Sequence, residues 1–301
     1  MVKFAVRNSV TKENDIWHRR DFTAIYQGGE EKYGQSAGKK KSRSLVAKMT
    51  IEERAGQLKY DAPAIERLGI PTYNWWNEAL HGVARAGTAT VFPQAIGCAA
   101  MFDEEEMQKI ADVIAEEGRA KYNAFSKEED RDIYKGLTFW SPNINIFRDP
   151  RWGRGHETYG EDPFLTARLG VSFIKGLQGD GETMKVAACA KHFAVHSGPE
   201  AIRHEFDAVV SQKDLYETYL PAFEAAVKEG GVEAVMGGYN RTNGEPSCGS
   251  KTLLKKFFGK TGDLRDMWYR TAGQSRIFTS SIRLQTDRKS PRRWHWKRDV
   301  T

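Results

Sequence analysis

Residues 185–193, KVAACAKHF, decide how the fold is interpreted. The run is apolar through Ala190 and then ends in a cation and an imidazole, Lys191 and His192. It is too short for a buried helix, and segments with helical periodicity lie on both sides of it. It therefore predicts a buried β-strand whose polar end lies at one edge of a sheet.

The same alternation of strand and helix extends in both directions from this run. The segments 137–147 (LTFWSPNINIF) and 233–240 (EAVMGGYN) predict two more strands, and helices are predicted at 103–125, 162–178 and 211–230. In each helix the apolar residues recur on one face. Repeated β-α units of this kind predict a parallel sheet covered by helices, an α/β fold.

Two α/β architectures fit this pattern, a doubly wound sheet and a closed β/α barrel. A doubly wound sheet usually has a glycine-rich phosphate loop after its first strand, and the sequence contains none there. In a barrel, functional residues gather at the carboxyl ends of several strands. Glu78, Lys191 and Tyr239 all follow predicted strands. The sequence therefore favours a (β/α) barrel of the TIM type.

The basic character of the chain belongs to its last residues. The net charge is +6 over 301 residues, yet residues 259–301 alone contain 11 Lys and Arg against 4 Asp and Glu. The rest of the chain is therefore close to neutral. Residues 1–44 are polar and basic, and they are predicted to form a disordered leader before the folded domain.

The cysteines and the N-terminus limit the possible function classes. Cys98, Cys189 and Cys248 lie far apart, without CxxC or zinc-type histidine spacing, so reduced thiols and no metal site are expected. The first residues, MVKFAVRNSV, lack the apolar core of a signal peptide. No apolar run is long enough to span a bilayer. The expectations are a cytoplasmic location and no membrane partner.

Residues 147–163, FRDPRWGRGHETYGEDP, combine arginines, acidic residues and aromatic rings directly after a predicted strand. Arginine offers donors in a fixed fork, and aromatic rings stack on sugar faces, so this loop suits a hydroxyl-rich ligand. The alternative is an ordinary solvated loop, and the chemistry of the residues alone does not separate the two.

Other candidate residues also have two interpretations. Lys191, at the end of a buried strand, needs a polar partner to remain charged. Glu78 lies beside Trp75 and Trp76, where its carboxylate could accept hydrogen bonds from sugar hydroxyls. In the alternative, the two tryptophans belong to the core and Glu78 caps a helix. His196 is interpreted as a structural histidine.

Four segments resemble glycoside hydrolase family 3 in sequence, order and spacing. The resemblance runs from about Leu45 to Phe257, and the form WWNEALHG is closer to the β-xylosidase and β-glucosidase branch than to the bacterial N-acetylhexosaminidases. The segments are 73–97 (YNWWNEALHGVARAGTATVFPQAIG), 141–166 (SPNINIFRDPRWGRGHETYGEDPFLT), 185–200 (KVAACAKHFAVHSGPE) and 235–248 (VMGGYNRTNGEPSC).

The resemblance implies a barrel that binds the non-reducing sugar of a β-linked oligosaccharide or aryl glycoside, without a cofactor. The implied reaction is retaining hydrolysis, in which an Asp nucleophile forms a glycosyl-enzyme and a Glu serves as acid and base. Glucose, xylose and arabinose remain open, as does the oligomeric state. A non-catalytic sugar-binding barrel is the alternative function. The sugar contacts implied by the resemblance are Glu78, Arg154, Lys191, His192 and Tyr239.

The chain departs from the family pattern at the nucleophile. In the family, a run like Gly-Phe-x-Gly-x-Val-Val-Ser-Asp follows soon after the GEPSC segment. Here that place is taken by residues 262–274, GDLRDMWYRTAGQ, which contain no Ser-Asp and no apolar strand. We therefore expect neither the nucleophile Asp nor the acid/base Glu in this chain.

A shifted reading frame explains this departure. In this frame each codon consists of the last base of one translated codon and the first two bases of the next. The shifted codons on both sides of Trp268 can encode only valine, and the two shifted codons after them permit Ser and Asp. The junctions from Trp294 to Lys297 force Ala, Leu and Glu. The hidden frame admits WGFEGHVVSDCGAI and ALEKGCD, which both resemble the family. Residues 259–301 are thus predicted to be an out-of-frame, disordered tail, which removes the basis for a nucleic-acid partner.

These inferences divide the chain into three parts. Residues 1–44 are the predicted leader, and residues 45–258 are a partial barrel that lacks its last strands and the family's later α/β sandwich domain. Residues 259–301 are the predicted tail. The chain as translated is expected to be inactive.

Overall fold

The structure is a computed structural model that describes residues 35–181, 183–257 and 268–270. Within these residues the α-helices are α1 (Gln35–Lys48), α2 (Ile51–Gly56), α3 (Ala95–Ala99), α4 (Glu104–Lys127), α5 (Pro163–Gln178), α6 (Gln212–Asp214) and α7 (Pro221–Lys228). The strands are β1 (Asp61–Ala62), β2 (Tyr73–Asn74), β3 (Thr138–Phe139), β4 (Ala187–Phe193), β5 (Asp207–Ala208), β6 (Ala234–Gly237), β7 (Arg241–Thr242), β8 (Glu245–Pro246) and β9 (Trp268–Arg270).

A parallel sheet with the order β3-β4-β6-β9 forms the centre of the fold. Helix α5 connects β3 to β4, and the segment with α6 and α7 connects β4 to β6, so each described crossover is helical. A parallel bridge from Asn77 to Phe139 adds a further extended segment beside β3. The predicted α/β fold with a parallel sheet is therefore confirmed.

The two faces of this sheet differ. Ala188, Ala190 and Val235 belong to a large core that the helices also line, whereas Cys189 and Met236 belong to a smaller cluster on the other face. Helix α4 packs against α5, and α5 packs against α7, so consecutive crossover helices lie side by side. A doubly wound sheet places helices on both faces. The one-sided arrangement is that of a barrel wall, but the described strands do not close, so the barrel remains a prediction.

Local sequence explains where the helices begin. The Asp103 side chain accepts a hydrogen bond from the Glu106 amide at 2.9 Å, as the first residue of a capping box does. The Glu106 carboxylate pairs instead with Lys109, so only half of that box forms. Asp162 accepts from the Leu165 amide at 2.6 Å and begins α5 in the same way.

The predicted helix at 211–230 is interrupted. Ser211 caps its start, accepting from the Asp214 amide at 3.0 Å, but the chain then passes through a π-helical turn at Leu215–Tyr219. Pro221 explains the break, because proline has no N–H to continue the α-helical ladder. The Leu220 amide bonds to the Leu215 carbonyl instead, at 3.0 Å, and α7 begins at Pro221.

The boundary predicted at residue 45 needs correction. Helix α1 extends from Gln35 through Lys48, so the boundary at residue 45 falls inside a helix and residues 35–44 are not a disordered leader. Lys, Arg, Ala and Leu in this segment favour helix, which the charge pattern alone concealed. The remaining leader residues, 1–34, lie outside the described residues.

Short strands also follow residues 233–240 among the described residues. Strands β7 and β8 form a short antiparallel pair, and β9 pairs in parallel with β6, with Tyr269 opposite Met236. The edge of β6 presents backbone N–H and C=O groups, which pair with any extended segment regardless of its side chains. The rest of the predicted tail, 259–267 and 271–301, lies outside the described residues.

Candidate functional site

Lys191 lies at the carboxyl end of β4, on the face away from the helices. Its side chain is 2% exposed, and its Nζ lies 3.3 Å from Oε2 of Glu78. Because a buried ammonium is costly without a partner, this ion pair meets the requirement stated from the sequence. Trp76 Nε1 donates to Glu78 Oε1 at 3.3 Å, and the Trp76 ring stacks on Trp140 at 5.0 Å. Glu78 thus faces a cation and an indole, not the start of a helix.

Arg154 lies in the loop after β3 and is held by Glu157. Its Nε and Nη2 donate to the two carboxylate oxygens at 2.8 and 2.5 Å, and Asn143 Nδ2 donates to Glu157 Oε2 at 3.3 Å. The side chains of Arg154 and Glu157 are 19% and 14% exposed, whereas Arg151 is 73% exposed. The loop is therefore solvated at one end and ordered at Arg154.

Burial would raise the pKa of Glu157, but hydrogen bonding and charge attraction from Arg154, with the charge of Lys191, outweigh it and lower that pKa. Burial would likewise lower the pKa of Arg154, and Glu157 raises it. Both groups are therefore held in their charged forms.

His192 follows Lys191 directly in the chain, and its ring contacts Arg154 of the second ion pair. Its ring is buried, with Nε2 lying 3.1 Å from Arg154 Nη1 and Nδ1 lying 3.0 Å from Asn145 Oδ1. Burial, then the charges of Arg154 and the other basic side chains around it, lowers the pKa of His192 well below its usual value. The ring is therefore uncharged.

Tyr239 lies just beyond β6, at the same edge of the sheet. Its ring lies 4.5 Å from the His204 ring and 6.0 Å from the His196 ring, and the His196 ring lies 4.5 Å from that of His192. The guanidinium of Arg203 lies 6.0 Å from the Tyr239 ring centre. These rings form one continuous aromatic wall beside the two ion pairs.

The five residues that the sequence selected thus lie in one region of the described structure, at the carboxyl ends of neighbouring strands. Sequence reasoning missed three side chains that support them. Glu157 could not be distinguished by sequence from the other acidic residues of its loop. Asn145 lay inside a segment that was interpreted as a strand. His196 was interpreted as structural; nothing in the sequence indicated that its ring would lie 4.5 Å from that of His192.

The side chains of this site suit a ligand with several hydroxyl groups. It offers charged donors from Lys191 and Arg154, carboxylate acceptors from Glu78, and aromatic faces from Trp76 and Tyr239. Within the described residues, no group of three or more His, Cys, Asp or Glu side chains is arranged to hold a metal ion. No helix in that same part of the chain is long and apolar enough to cross a membrane.

Comparison with known proteins gives one consistent family. The profile of the glycosyl hydrolase family 3 N terminal domain matches residues 40–261. A xylan 1,4-beta-xylosidase of Xylanibacter ruminicola is 46% identical over 237 residues, which are 77% of this chain and 27% of that protein. A probable beta-D-xylosidase 7 of Arabidopsis thaliana is 46% identical over 238 residues, covering 72% of this chain and 30% of that protein. The chain thus spans less than a third of these relatives.

Solved structures agree with this family. An exo-beta-xylosidase, XlnD, in complex with a xylobiose aziridine activity-based probe superposes with a TM-score of 0.71 at 32% identity, covering 79% of this chain and 32% of that one. Beta-glucosidase 3B from Thermotoga neapolitana, in complex with glucose, gives a TM-score of 0.64 at 27% identity, covering 77% of this chain and 34% of that one.

Proposed function

Because the chain belongs to glycosyl hydrolase family 3, whose N-terminal domain profile its residues 40–261 match, we propose that it is the sugar-binding part of a β-xylosidase. In this proposal the whole protein removes terminal xylosyl residues from β-linked oligosaccharides or aryl glycosides. The names of the similar curated proteins from Xylanibacter ruminicola and Arabidopsis thaliana support xylose over glucose.

The observation that carries this proposal is the convergence of two ion pairs and an aromatic wall. A pyranose presents several hydroxyls, each able to donate and accept. Lys191 and Arg154 would donate to hydroxyl oxygens, Glu78 would accept from hydroxyl protons, and Tyr239 would pack on the ring face. The site is already ordered by its own hydrogen bonds, which reduces the entropy lost when a sugar binds.

The chemistry proposed for the whole protein is a double displacement. An Asp attacks the anomeric carbon while a Glu protonates the leaving oxygen, and water then hydrolyses the glycosyl-enzyme with the same Glu acting as base. The two carboxyls would lie about 5–5.5 Å apart. Glu78 and Glu157 do not fit these roles, since each is already paired with a cation, Lys191 or Arg154. We propose instead that the nucleophile is encoded in the shifted frame.

The position of β9 supports that assignment. The shifted frame forces Val-Val at the two codon junctions around Trp268, and it permits Ser at the junction after Tyr269 and Asp at the junction after Arg270. In the structure this segment lies beside β6 in parallel register. The Asp would therefore follow the carboxyl end of a strand next to β6, at the same sheet edge as Lys191 and Tyr239. We also propose that the sheet is part of a barrel wall, with functional residues gathered at that edge.

A direct experiment compares two forms of the gene. Resequencing the DNA that encodes residues 255–270 tests the frame, and the frame-restored, full-length protein is assayed with 4-nitrophenyl β-xyloside, β-glucoside and α-arabinofuranoside. We expect turnover of the xyloside by the restored protein and none by the chain as translated. The enzyme proposal would be abandoned if the restored protein cleaved none of the three.

The second candidate is a non-catalytic sugar-binding protein. The observation in its favour is that residues 262–274 contain no Ser-Asp as translated. It predicts xylose binding by the chain, an unaltered reading frame on resequencing, and no turnover in any longer form of the protein.

A further inference from the structure

Residues 81–92 form a closed loop between β2 and α3, and the two ends of this loop meet at a narrow neck. The Phe92 amide donates to the His81 carbonyl oxygen at 2.9 Å, and His81 Nδ1 lies 2.9 Å from the Phe92 carbonyl oxygen. All residues of the loop are described, and none lies in a helix or strand. A compact surface loop whose ends lie close together is an Ω-loop, and we use that name for residues 81–92.

The two limbs of the Ω-loop run against each other just past the neck. Gly82 has a φ of 131°, and a Cβ on it would lie 2.2 Å from the Thr90 carbonyl oxygen. Both the conformation and the space at this position therefore require glycine. The limbs can stay this close only because one of them has no side chain there.

Two side chains of helix α4 hold the far part of the Ω-loop. Glu117 accepts from the Thr90 amide at 3.0 Å and from Thr90 Oγ1 at 2.7 Å. Lys121 Nζ donates to the carbonyl oxygens of Ala86 and Thr88 at 2.9 and 2.5 Å. Residues four apart lie on one face of a helix, so both side chains contact the loop from the same side. All of these hydrogen bonds have one charged partner, which makes them stronger than bonds between neutral groups.

Apolar packing contributes little to the position of the Ω-loop. Val83 and Ala86 are buried in the core that the helices line, whereas Val91 is exposed. The two buried side chains are small, so they remove less apolar surface from water than Leu or Phe would. Arg85 adds one further contact, from Nη1 to the Tyr134 hydroxyl at 3.2 Å. Segments with few buried apolar contacts open at a lower free energy than the core does.

We propose that residues 82–91 are a lid that opens as one unit about the neck, and that Glu117 and Lys121 are its latch. This inference does not rest on the proposed function. The Ala84 amide, inside the lid, donates to the Glu78 carbonyl oxygen at 2.9 Å. Opening of the lid breaks that bond as well. The two latch side chains on the surface of α4 thus control the main chain at Glu78.

Amide hydrogen exchange in the unsubstituted chain tests whether the lid opens as a unit. The Ala84 and Thr90 amides donate to different partners, the Glu78 carbonyl and the Glu117 carboxylate. We expect both amides to show the same free energy of opening and the same shallow dependence on urea, below the values for the Cys189 amide in β4. Different values for the two lid amides, or values equal to that of Cys189, would overturn the proposal.

Lys121→Met distinguishes a latch from an independent contact. The Lys121 side chain donates to carbonyl oxygens, so its loss removes no acceptor from the Ala84 or Thr90 amide. If the lid is one unit, both amides nevertheless exchange about tenfold faster or more, by the same factor, while the Cys189 amide is unchanged. Glu117→Ala should likewise accelerate both. Acceleration confined to Thr90 in Glu117→Ala, with none in Lys121→Met, would refute the latch.

Lys109→Met is the matched control for the change of lysine to methionine. Lys109 also lies on α4 and pairs with Glu106 one turn away. Its loss should leave exchange of the lid amides unchanged, and acceleration there would contradict the assignment of the latch. If Lys121→Met and Glu117→Ala accelerate Cys189 as much as the lid, the lid opens only with the whole chain and the proposal fails. Should either variant not fold, the urea dependence in the unsubstituted chain still decides.

Discussion

Lys191 is the residue on which the proposed sugar site depends most, because it is buried and pairs with the carboxylate of Glu78. Replacing it with methionine keeps the volume but leaves Glu78 without its cation and removes a charged donor. We predict that Lys191→Met lowers kcat/KM of the frame-restored protein by a hundredfold or more, a loss of about 3 kcal/mol in transition-state binding.

Lys185→Met is the matched control for that change. Lys185 also lies by β4, but it pairs with Asp112 and Glu116 near the surface, at 30% exposure. Exposed ion pairs contribute little, so kcat/KM should change less than about twofold. Near-normal kcat/KM in Lys191→Met would assign that lysine to structure alone.

Buried, uncharged imidazoles make stability depend on pH. Burial, partly offset by the bond to Asn240, lowers the pKa of His196 to about 3, and the pKa of His192 is lowered for similar reasons. The unfolded chain protonates both near pH 6.5 while the folded chain does not. The contribution of these two uncharged rings to the free energy of unfolding is therefore fully present above about pH 6.5. It is lost progressively as the pH falls below that value, because protons then bind the unfolded chain in preference to the folded one.

We predict that the free energy of unfolding in urea falls between pH 7 and pH 5 by about 2 kcal/mol for each of these two histidines. His196→Gln should remove roughly half of that dependence, because one of the two groups is gone. Equal stability at pH 7 and pH 5 in the unsubstituted chain would show that these rings accept protons in the folded state.

At the scale of elements, the helix layer depends on a close approach of α4 and α5. A Cβ on Gly176 would lie 2.3 Å from the Gln108 carbonyl oxygen and 2.6 Å from Ala111 Cβ. We predict that Gly176→Ala destabilises the chain by about 1–3 kcal/mol in urea unfolding, although alanine favours helix. In Gly97→Ala the new atom would meet only Pro93, at 3.5 Å, so that control should be neutral or slightly stabilising.

Sequence patterns predicted these elements unequally. Periodicity located α4, α5 and β4 because each buries one face or is buried throughout. The π-helical turn at Leu215–Tyr219 and helix α1 were missed, because the first depends on a single proline and the second on backbone propensity within a charged segment. Glu78 and Lys191 could be selected individually, but their ion pair joins residues far apart in the chain, and spacing alone could not predict it. The same is true of the bond between Asn145 and His192.

For the molecule as a whole, β9 covers the edge of β6. Tyr269→Pro removes a backbone donor and restrains the backbone of β9. We predict faster hydrogen exchange at the amides of β6, Ala234–Gly237, and more self-association in size-exclusion chromatography. Tyr269→Val keeps the donor and should preserve both properties. Unchanged exchange in Tyr269→Pro would mean that β9 does not protect β6.

The pairing of β9 also has a genetic consequence. Hydrogen bonds between strands involve the main chain, which is the same whatever residues are translated. If the frame of residues 259–301 is shifted, the sheet contains a strand whose sequence was never selected as protein. The side chains that the proposed reaction needs would then be absent. A frameshift at this point would thus leave the fold of the preceding residues standing and abolish turnover. Such alleles would pass a screen for expressed, folded protein and fail only a screen for activity.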